Sequence, residues 1–377
     1  MTATHKAMVR QHGTVSVLTQ ATPSPAGYEL LVKPLYAGLC GTDIQMLRGL
    51  RADPSPIIGH EGIARVIAAG ERVPDEVGVG TLVCINPTHR NDPSFLLGHN
   101  VKGLLQERVL IQESAVRDGL VIPLGEHHNS VLSTLLEPLA AVHYAFSLLA
   151  DHHPRTLVVF GDGVIGHLAI RAAAALLGSD IRIVHLHHTE QGVAWSKQHR
   201  VAAVRPVLNN AAGAALLSSL PEDERVGVLL ATPRDATLAC LNTALCCLRG
   251  DTTIDLLGGL PSDASAPLLP SVDLASIRAA NCGGAPNPGV SFTVQTSTGK
   301  SVQLTGHRGV AHRHLRHAAA ELARHPLRYS DLVTHVLPMN DAAAVMNQLA
   351  GSRERLVAGR RLIKLAVHIS PDNLTQE

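Results

Sequence analysis

Buried strands that alternate with helices constrain the fold of this chain more than any other feature of its sequence. From about residue 155, the apolar runs at 155–161, 181–187, 226–232 and 251–259 each have the length and composition of a buried strand. Helical stretches such as 164–178 lie between them. Parallel sheets with crossover helices produce this alternation. The sequence therefore predicts an α/β fold with a doubly wound parallel sheet in this region.

The rest of the chain has a different texture. The first ~110 residues consist of short apolar runs separated by Gly and Pro, which is typical of a mostly-β domain. The segment 129–150 predicts a helix that is interrupted or redirected at Pro138. After residue 307, helices are predicted on both sides of a strand at 331–338. At 377 residues the chain is long enough for two domains.

A glycine pattern marks the first strand-to-helix turn of the parallel sheet. Gly161, Gly163 and Gly166 spell G-x-G-x-x-G. The first glycine permits a tight turn, the second lets a pyrophosphate approach the backbone, and the third lets the helix pack against the strand. The helix that follows offers free N–H groups to phosphates. Gly161, Gly163, Val164, Ile165 and Gly166 are therefore predicted to bind a dinucleotide, and a glycine-rich turn without a ligand is the alternative.

The end of the second strand leaves the type of dinucleotide open. An Asp or Glu usually stands there and holds the ribose 2′-hydroxyl of NAD, but in this chain the position falls at His187. Histidine neither holds that hydroxyl nor repels a 2′-phosphate, so both NAD and NADP remain possible. The alternative is that His185, His187 and His188 cap a strand end that faces solvent.

Potential metal ligands occur in three fragments of the first 140 residues. They are Cys40 in "AGLCGTD", His60 and Glu61 in "GHEG", and Glu137 in "LLEPLAAVH". Singly, each has an ordinary structural explanation, such as a buried thiol or a turn cap. Together they supply thiolate, imidazole and carboxylate, the set that a catalytic zinc takes when it keeps one position open. A divalent ion would also compensate the charges of His60 and Glu61 in their apolar surroundings.

These motifs, in this order, resemble those of the zinc-dependent medium-chain dehydrogenases/reductases of the alcohol dehydrogenase superfamily, close to the sorbitol and threonine dehydrogenase branch. The matching fragments are "CGTD" at 40–43, "GHE" at 59–61, "LLEPLAAVHYA" at 135–145, "VVFGDGVIG" at 158–166, "LLATP" at 229–233 and "LVTHVLPMNDAAAVM" at 332–346. The resemblance implies a GroES-like catalytic domain at 1–150 and 307–377, and a Rossmann domain at 151–306. It also implies that the substrate cleft lies between the two domains, with zinc near the nicotinamide.

The resemblance implies roles for individual residues. Cys40 and His60 are zinc ligands, while Glu61 and Glu137 share the remaining protein role, one of them directly and the other through water or in alternation.

Three further positions match family residues around the reacting groups. Thr42 matches the hydroxyl that accepts the substrate proton, and Asp43 matches the carboxylate that orients the histidine ligand. Thr232, in "LLATP", matches a residue on the cofactor side. The implied reaction is hydride transfer between NAD(P) and a secondary alcohol or ketone, such as a polyol, sugar or cyclitol.

Two departures from the family pattern qualify this expectation. Relatives often carry a second, structural zinc on four cysteines soon after residue 85, but this segment offers only Cys84, so at most one zinc per chain is predicted. Gln45 stands where relatives often have the histidine that ends the proton relay. His5, His12 or His143 could substitute for it, and the sequence does not choose among them.

Composition excludes several classes of partner. The formal net charge of +1 gives no electrostatic case for nucleic acid or a membrane surface, and the sequence predicts no apolar run long enough to span a bilayer. The six cysteines show no framework spacing, which predicts reduced thiols and a cytoplasmic protein. Cys240, Cys246 and Cys247 are predicted to lie on one helix as small buried apolar residues. The family resemblance implies a homodimer or homotetramer.

Two other functions remain open at this point. One is a zinc-free, NADPH-dependent enone or quinone reductase of the same superfamily, which would lack the metal ligands. The other is a non-catalytic NAD(P)-binding protein on this fold. Metal content separates the first alternative from the zinc enzyme, and turnover of NAD(P)H separates the second.

Overall fold

The computed structural model describes residues 3–370 and divides into two compact units. Among the described residues, the first unit comprises 3–137 and 311–370, and the second comprises Pro138–Val310. The boundaries drawn from the sequence, 150/151 and 306/307, therefore differ from these, mainly because the long helix after residue 135 packs with the second unit. The fold class is as predicted: a mostly-β unit and a parallel-sheet α/β unit.

The first segment of the first unit is built from short strands. Its strands are β1 (Thr4–Gln11), β2 (Thr14–Ala21), β3 (Leu30–Gly38), β4 (Glu61–Ala69), β5 (Leu82–Ile85), β6 (Val109–Ile111) and β7 (Val121–Pro123). Its helices are α1 (Gly41–Leu47) and α2 (Glu113–Arg117), with 3-10 turns at Asp75–Val77, Glu126–His128 and Val131–Leu135. The β3 and β4 strands run antiparallel, and Gly38 at the end of β3 pairs with Glu61 at the start of β4.

The second unit alternates strands and helices. Its elements are α3 (Leu136–Ala150), β8 (Thr156–Phe160), α4 (Val164–Leu177), β9 (Arg182–His187), α5 (Glu190–Gln198), β10 (Val204–Leu208), α6 (Ala211–Ser218), β11 (Arg225–Leu230), α7 (Thr237–Cys247), β12 (Asp251–Asp255), α8 (Leu274–Ala279), β13 (Asn281–Cys282), β14 (Phe292–Gln295), β15 (Ser301–Thr305) and β16 (His307–Arg308). The α3 helix begins in the first unit, and all but its first two residues belong to the second.

The sheet of the second unit has the order β10-β9-β8-β11-β12-β15-β14. All neighbouring pairs are parallel except β14 with β15, which is antiparallel. The chain proceeds from β8 outward to β9 and β10, and then returns to β11 on the other side of β8. The order therefore reverses at β8, and ligands of doubly wound sheets bind at the carboxyl ends of the strands at such a point.

The chain then returns to the first unit. Its last elements are α9 (His312–Arg324), α10 (Pro326–Tyr329), a 3-10 turn at Ser330–Leu332, β17 (His335–Pro338), α11 (Met339–Gly351), β18 (Leu356–Val357), β19 (Arg360–Arg361) and β20 (Leu365–His368). The β20 strand pairs antiparallel with β3 and closes a sheet of order β17-β20-β3-β4-β5-β7, with β6 also paired to β3. Mostly aliphatic side chains from both segments share one core.

Three local predictions need comment. Pro138 lies in the first turn of α3, where its missing N–H has no partner to lose, and the change of the helical stretch 131–150 from a 3-10 helix to α3 occurs at Leu136, two residues before it. The helical stretch 131–150 is long and apolar enough to cross a membrane by length and composition, although 72% of its most apolar window is buried within the fold. Cys240, Cys246 and Cys247 do share α7, but Cys246 is exposed.

Candidate functional site

The pairing of β3 with β4 brings three predicted metal ligands together. Because Gly38 lies opposite Glu61, Cys40 just after β3 comes close to His60 and Glu61 at the start of β4. One potential ligand atom from each of Cys40, His60 and Glu61 lies within 4.8 Å of the other two. Among the described residues, this is the one group of three or more such side chains with that spacing.

The start of α1 holds the thiol in place. Cys40 is the N-cap residue, and its backbone N–H donates to Asp43 Oδ2 at 2.9 Å. The hydroxyl of Thr42 donates to Cys40 Sγ, also at 2.9 Å. The hydroxyl predicted to accept the substrate proton therefore touches the predicted sulfur ligand.

Asp43, the residue predicted to orient the histidine ligand, faces His60. His60 Nδ1 lies 3.9 Å from Asp43 Oδ1, and both side chains are buried. The nearby Cys40 side chain also acts electrostatically on this imidazole and raises its pKa. A carboxylate on one ring nitrogen and a ligand position on the other is a common arrangement around metal-binding histidines.

A buried lysine pairs with Glu61, and the sequence prediction missed it. Lys364 Nζ forms an ion pair with Glu61 Oε2 and donates to the carbonyl of Leu39 at 3.3 Å. Its side chain is fully buried. A Cβ on Gly38 would lie 2.5 Å from Lys364 Cε, so a larger residue at position 38 would displace the end of the lysine side chain. The lone lysine in the apolar run 362–367 was the available signal.

The electrostatics of this site favour a cation. Burial, together with Glu61, raises the pKa of Cys40, and burial also raises the pKa of Asp43. Burial disfavours the charged form of His60, but nearby Cys40, Asp43 and Glu61 outweigh it and raise the pKa of His60 to about 10. Acidic groups thus outnumber basic ones in a site shielded from water. A thiol, an imidazole and a carboxylate in such a place fit a zinc ion, which would favour their deprotonated forms.

Glu137 stands outside the compact set of three. It begins the first turn of α3, and burial and Glu61 raise its pKa to about 7, although His60 and Lys364 act in the opposite direction. Glu137 therefore interacts electrostatically with His60, Glu61 and Lys364. The structure therefore groups Cys40, His60 and Glu61 closely and leaves Glu137 at the margin.

A second histidine lies beside the site and was also missed. The ring of His99 lies 4.9 Å from that of His60, centroid to centroid, and His99 Nδ1 is 3.4 Å from Asp53 Oδ1. Arg51 binds both carboxylate oxygens of Asp53. Burial, with the charges of His60 and Arg51, lowers the pKa of His99 to about 3. His99 therefore stands next to the site as a neutral imidazole.

Other candidates for the proton relay lie elsewhere or are already engaged. His5 is buried and hydrogen bonds to Thr22 Oγ1 and Gln106 Oε1, both at 3.1 Å. His12 is exposed in the turn between β1 and β2, at a φ of 48°. His143 lies on α3 in the second unit, and Gln45 lies half-buried on α1.

The segment that carries a cysteine-bound zinc in many relatives is held here by hydrogen bonds. His89 Nδ1 accepts the backbone N–H groups of Asn91 and Asp92, at 3.1 and 2.9 Å. His89 Nε2 faces Asp118 Oδ2 at 3.1 Å, and Phe95 of the same segment is buried. Cys84 is buried and unpaired with any other cysteine.

The glycine turn of the second unit has the features that its motif demands. Gly161 has a φ of +118°, and a Cβ there would lie 2.1 Å from the carbonyl oxygen of Ala231. A Cβ on Gly166 would lie 2.0 Å from the carbonyl oxygen of Gly161, whereas nothing lies within 4 Å of one on Gly163. Gly163 is also the N-cap of α4, and no side chain caps this end of the helix. The turn therefore presents open backbone at its middle glycine, where phosphates would approach.

Two of the three histidines at the end of β9 are buried and do not face solvent. His185 and His187 are completely buried, so the idea that they cap a solvent-facing strand end is wrong for both, while His188 is exposed. His185 Nε2 lies 2.8 Å from the carbonyl oxygen of Gly161, and its ring packs 4.0 Å from that of His187.

The remaining cofactor-side residues lie at the same edge of the sheet. Val164 and Ile165 are partly exposed in the first turn of α4. Thr232, after β11, shares a 2.9 Å hydrogen bond with the hydroxyl of Thr237.

Comparison with known proteins agrees with this architecture. Residues 26–119 match the family described as alcohol dehydrogenase GroES-like domain. Glucose 1-dehydrogenase 1 of Vulcanisaeta moutnovskia is 29% identical over 170 residues, 39% of this chain and 48% of that protein. Sorbitol dehydrogenase of Halalkalibacterium halodurans is 28% identical over 194 residues, 47% of this chain and 55% of that protein. The chain thus spans about half the length of the curated relatives it matches.

The fold is shared over a greater length than the sequence. A zinc-binding dehydrogenase of Sinorhizobium meliloti, solved with NADP bound, superposes with a TM-score of 0.69 at 18% identity, covering 97% of this chain and 99% of that one. Residues 26–119 therefore match the alcohol dehydrogenase GroES-like domain, and the chain as a whole shares its fold with this solved dehydrogenase.

Proposed function

We propose that this protein is a zinc-dependent oxidoreductase that transfers a hydride between NAD(P) and a secondary alcohol or ketone. The observation that carries the proposal is the grouping of Cys40, His60 and Glu61 within 4.8 Å, in a buried site with an excess of acidic groups. The glycine turn at 161–166, which meets the steric demands of a dinucleotide site, supports the choice of cofactor.

In this proposal Cys40, His60 and Glu61 hold one zinc ion, with Glu137 as an alternative or water-linked carboxylate. When bound, zinc acts as a Lewis acid that polarises the substrate oxygen. Asp43 keeps the His60 ring oriented through the Nδ1 side, and Lys364 fixes one oxygen of Glu61. We propose no second, structural zinc, because hydrogen bonds to His89 stabilise the segment at 86–106 where related proteins carry it.

The reaction balances without any further reagent. The alcohol carbon gives a hydride to the nicotinamide ring, which converts NAD(P)⁺ to NAD(P)H, and the hydroxyl gives a proton that is released to solvent. Thr42 Oγ1 is the proposed first acceptor of this proton, and its position beside the thiol, where its hydroxyl donates to Cys40 Sγ, supports this role. It then passes the proton outward, and the reverse reaction reduces a ketone.

The substrate class that we propose is a polyol, a sugar or a related secondary alcohol. The names of the matched glucose 1-dehydrogenase and sorbitol dehydrogenase support this class. A cytoplasmic location and a homodimer or homotetramer remain predictions from the sequence and the family.

The first experiment measures metal and turnover in the same preparations. Zinc is quantified in the purified parent protein and in Cys40→Ser, with Cys84→Ser as a matched control, because Cys84 is a buried thiol of the same unit outside the site. The expected result is about one zinc per chain in the parent and in Cys84→Ser, and little in Cys40→Ser. Formation of NADH or NADPH is then followed with a panel of polyols, sugars and simple secondary alcohols.

The outcomes separate the competing functions. Equal zinc in the parent and Cys40→Ser would remove Cys40 from the site. Reduction of enones or quinones by a metal-free parent would instead establish the zinc-free reductase. Binding of NAD(P) without turnover of any substrate in the panel would point to the non-catalytic protein.

A further inference from the structure

The missing acidic residue at the end of β9 has a counterpart in the glycine turn. We propose that Asp162, positioned by His187, is the carboxylate that recognises the adenosine ribose, and that the enzyme therefore prefers NAD to NADP. This inference rests on the proposed function, since it concerns the cofactor of that reaction.

The position where a ribose-binding carboxylate is expected cannot serve that role here. His187 is the last residue of β9, and its ring is completely buried. Asp162 lies in the glycine turn directly beside it, with Asp162 Oδ2 only 3.7 Å from His187 Nδ1. A carboxylate thus stands next to the usual position, although it is attached to a different strand.

The Asp162 side chain can reach a ligand from where it stands. Its side chain is 17% exposed, whereas that of His187 is not exposed at all. It follows Gly161 and precedes Gly163, the glycine at which the backbone faces open space. A dinucleotide on this turn would therefore pass close to the carboxylate, on the ribose side of the pyrophosphate.

Hydrogen bonds with residues of β9 hold the backbone next to Asp162 in place. The N–H of Gly161 donates to the carbonyl of Leu186 at 3.0 Å, and His185 Nε2 donates to the carbonyl of Gly161 at 2.8 Å. The ring of His185 must carry its proton on Nε2, because a carbonyl can only accept. Burial, together with His187, lowers the pKa of His185 to about 3, which keeps the ring neutral. A carboxylate on so constrained a turn is preorganised for one ligand position.

Charge then determines which dinucleotide is preferred. A carboxylate accepts hydrogen bonds from the ribose hydroxyls of NAD, but it repels the doubly charged 2′-phosphate of NADP. Sites that select NADP usually place an arginine nearby. The residues that follow β9, at 188–190, are His, Thr and Glu, and none carries a fixed positive charge.

The test compares dissociation constants for NAD⁺ and NADP⁺, measured by calorimetry on the full-length protein with its metal. The parent should bind NAD⁺ at least about tenfold more tightly than NADP⁺, and Asp162→Asn should reduce this ratio by about tenfold or more, the usual effect of losing hydrogen bonds to a charged group. Asp180→Asn is the matched control, because Asp180 is an exposed carboxylate of the same unit, and it should leave the ratio unchanged.

His187→Leu supplies a second, independent variant. Leucine fills a volume similar to that of the imidazole but cannot contact the Asp162 carboxylate. The preference for NAD⁺ over NADP⁺ should therefore fall, while the thermal midpoint should change little. Thermal unfolding and circular dichroism accompany each variant, and the NAD⁺/NADP⁺ ratio is the readout that a purely structural role would not move.

The results that overturn the inference differ from those that overturn the proposed function. Preference of the parent for NADP⁺, or an unchanged ratio in a folded Asp162→Asn or His187→Leu protein, would refute the role of Asp162. Failure of the parent to bind either dinucleotide would instead refute the dinucleotide-dependent function itself.

Discussion

Removal of the buried lysine beside the proposed metal centre should cost the fold several kcal/mol. Lys364 is fully buried, and its ammonium pairs with Glu61, whose side chain is 2% exposed. Lys364→Met removes the charge and keeps most of the side-chain volume, so the cavity contribution is small. The buried carboxylate of Glu61 is then left without its partner. Removal of one member of a buried ion pair costs about 3–5 kcal/mol of stability. We expect a loss of that size in the metal-free protein.

The assay is urea unfolding of chelator-treated protein at 25 °C, followed by far-ultraviolet circular dichroism. The double variant Lys364→Met with Glu61→Gln removes both charges and should recover more than half of the loss, because a neutral amide is far cheaper to bury than a lone carboxylate. Lys102→Met is the control, since Lys102 is exposed in the same unit. A Lys364→Met protein within about 1 kcal/mol of the parent would refute the idea that this lysine compensates Glu61.

Two further predictions concern pH and the segment that lacks a zinc. The pKa of Glu137 is raised to about 7, so the folded state binds this proton more tightly than the unfolded state, and the stability of the metal-free protein should fall by up to about 3 kcal/mol as pH rises from 4.5 to 7. Unfolding measured at several pH values should show a clearly weaker fall in stability with rising pH in Glu137→Gln than in the parent. An equal fall in both proteins would contradict the attribution of this pH dependence to Glu137. His89→Ala removes the acceptor of the Asn91 and Asp92 amides and should cost about 1–3 kcal/mol and speed proteolysis of segment 86–106. The control His188→Ala, at an exposed residue, should change neither the stability nor the rate of proteolysis. A cleavage rate in His89→Ala equal to that of the parent would argue against the role of His89.

The sequence predicted those parts of the site that local patterns encode. Strands and helices of the second unit follow from apolar runs and glycine positions, because buried parallel strands leave a strong local signal. The fragments around Cys40 and His60 were recognised as ligand sources for the same reason: each has a distinctive neighbourhood along the chain. Their meeting across the β3–β4 pair follows from antiparallel register, which the sequence alone does not specify.

The features that were missed depend on contacts between distant segments. Lys364 reaches Glu61 because β20 pairs with β3, and His99 reaches His60 through the folding of a segment without regular strands. The burial of His187 depends on how α4 and α5 cover β9, so its identity as a histidine predicted neither its environment nor its neighbour Asp162. Such contacts have no periodicity along the chain and therefore leave no local signal.

The anchoring of segment 86–106 by His89 changes what this protein needs in order to stay folded. A lobe built on four thiolates fails when they are oxidised or when a chelator removes their ion. Here the anchor is an imidazole ring whose Nδ1 accepts two backbone N–H groups, and it contains no thiolate for peroxide to oxidise and no metal for EDTA to remove. Loss of the single proposed zinc would then stop turnover but leave segment 86–106 folded. Inactivation by chelators should therefore be reversed when metal is added back.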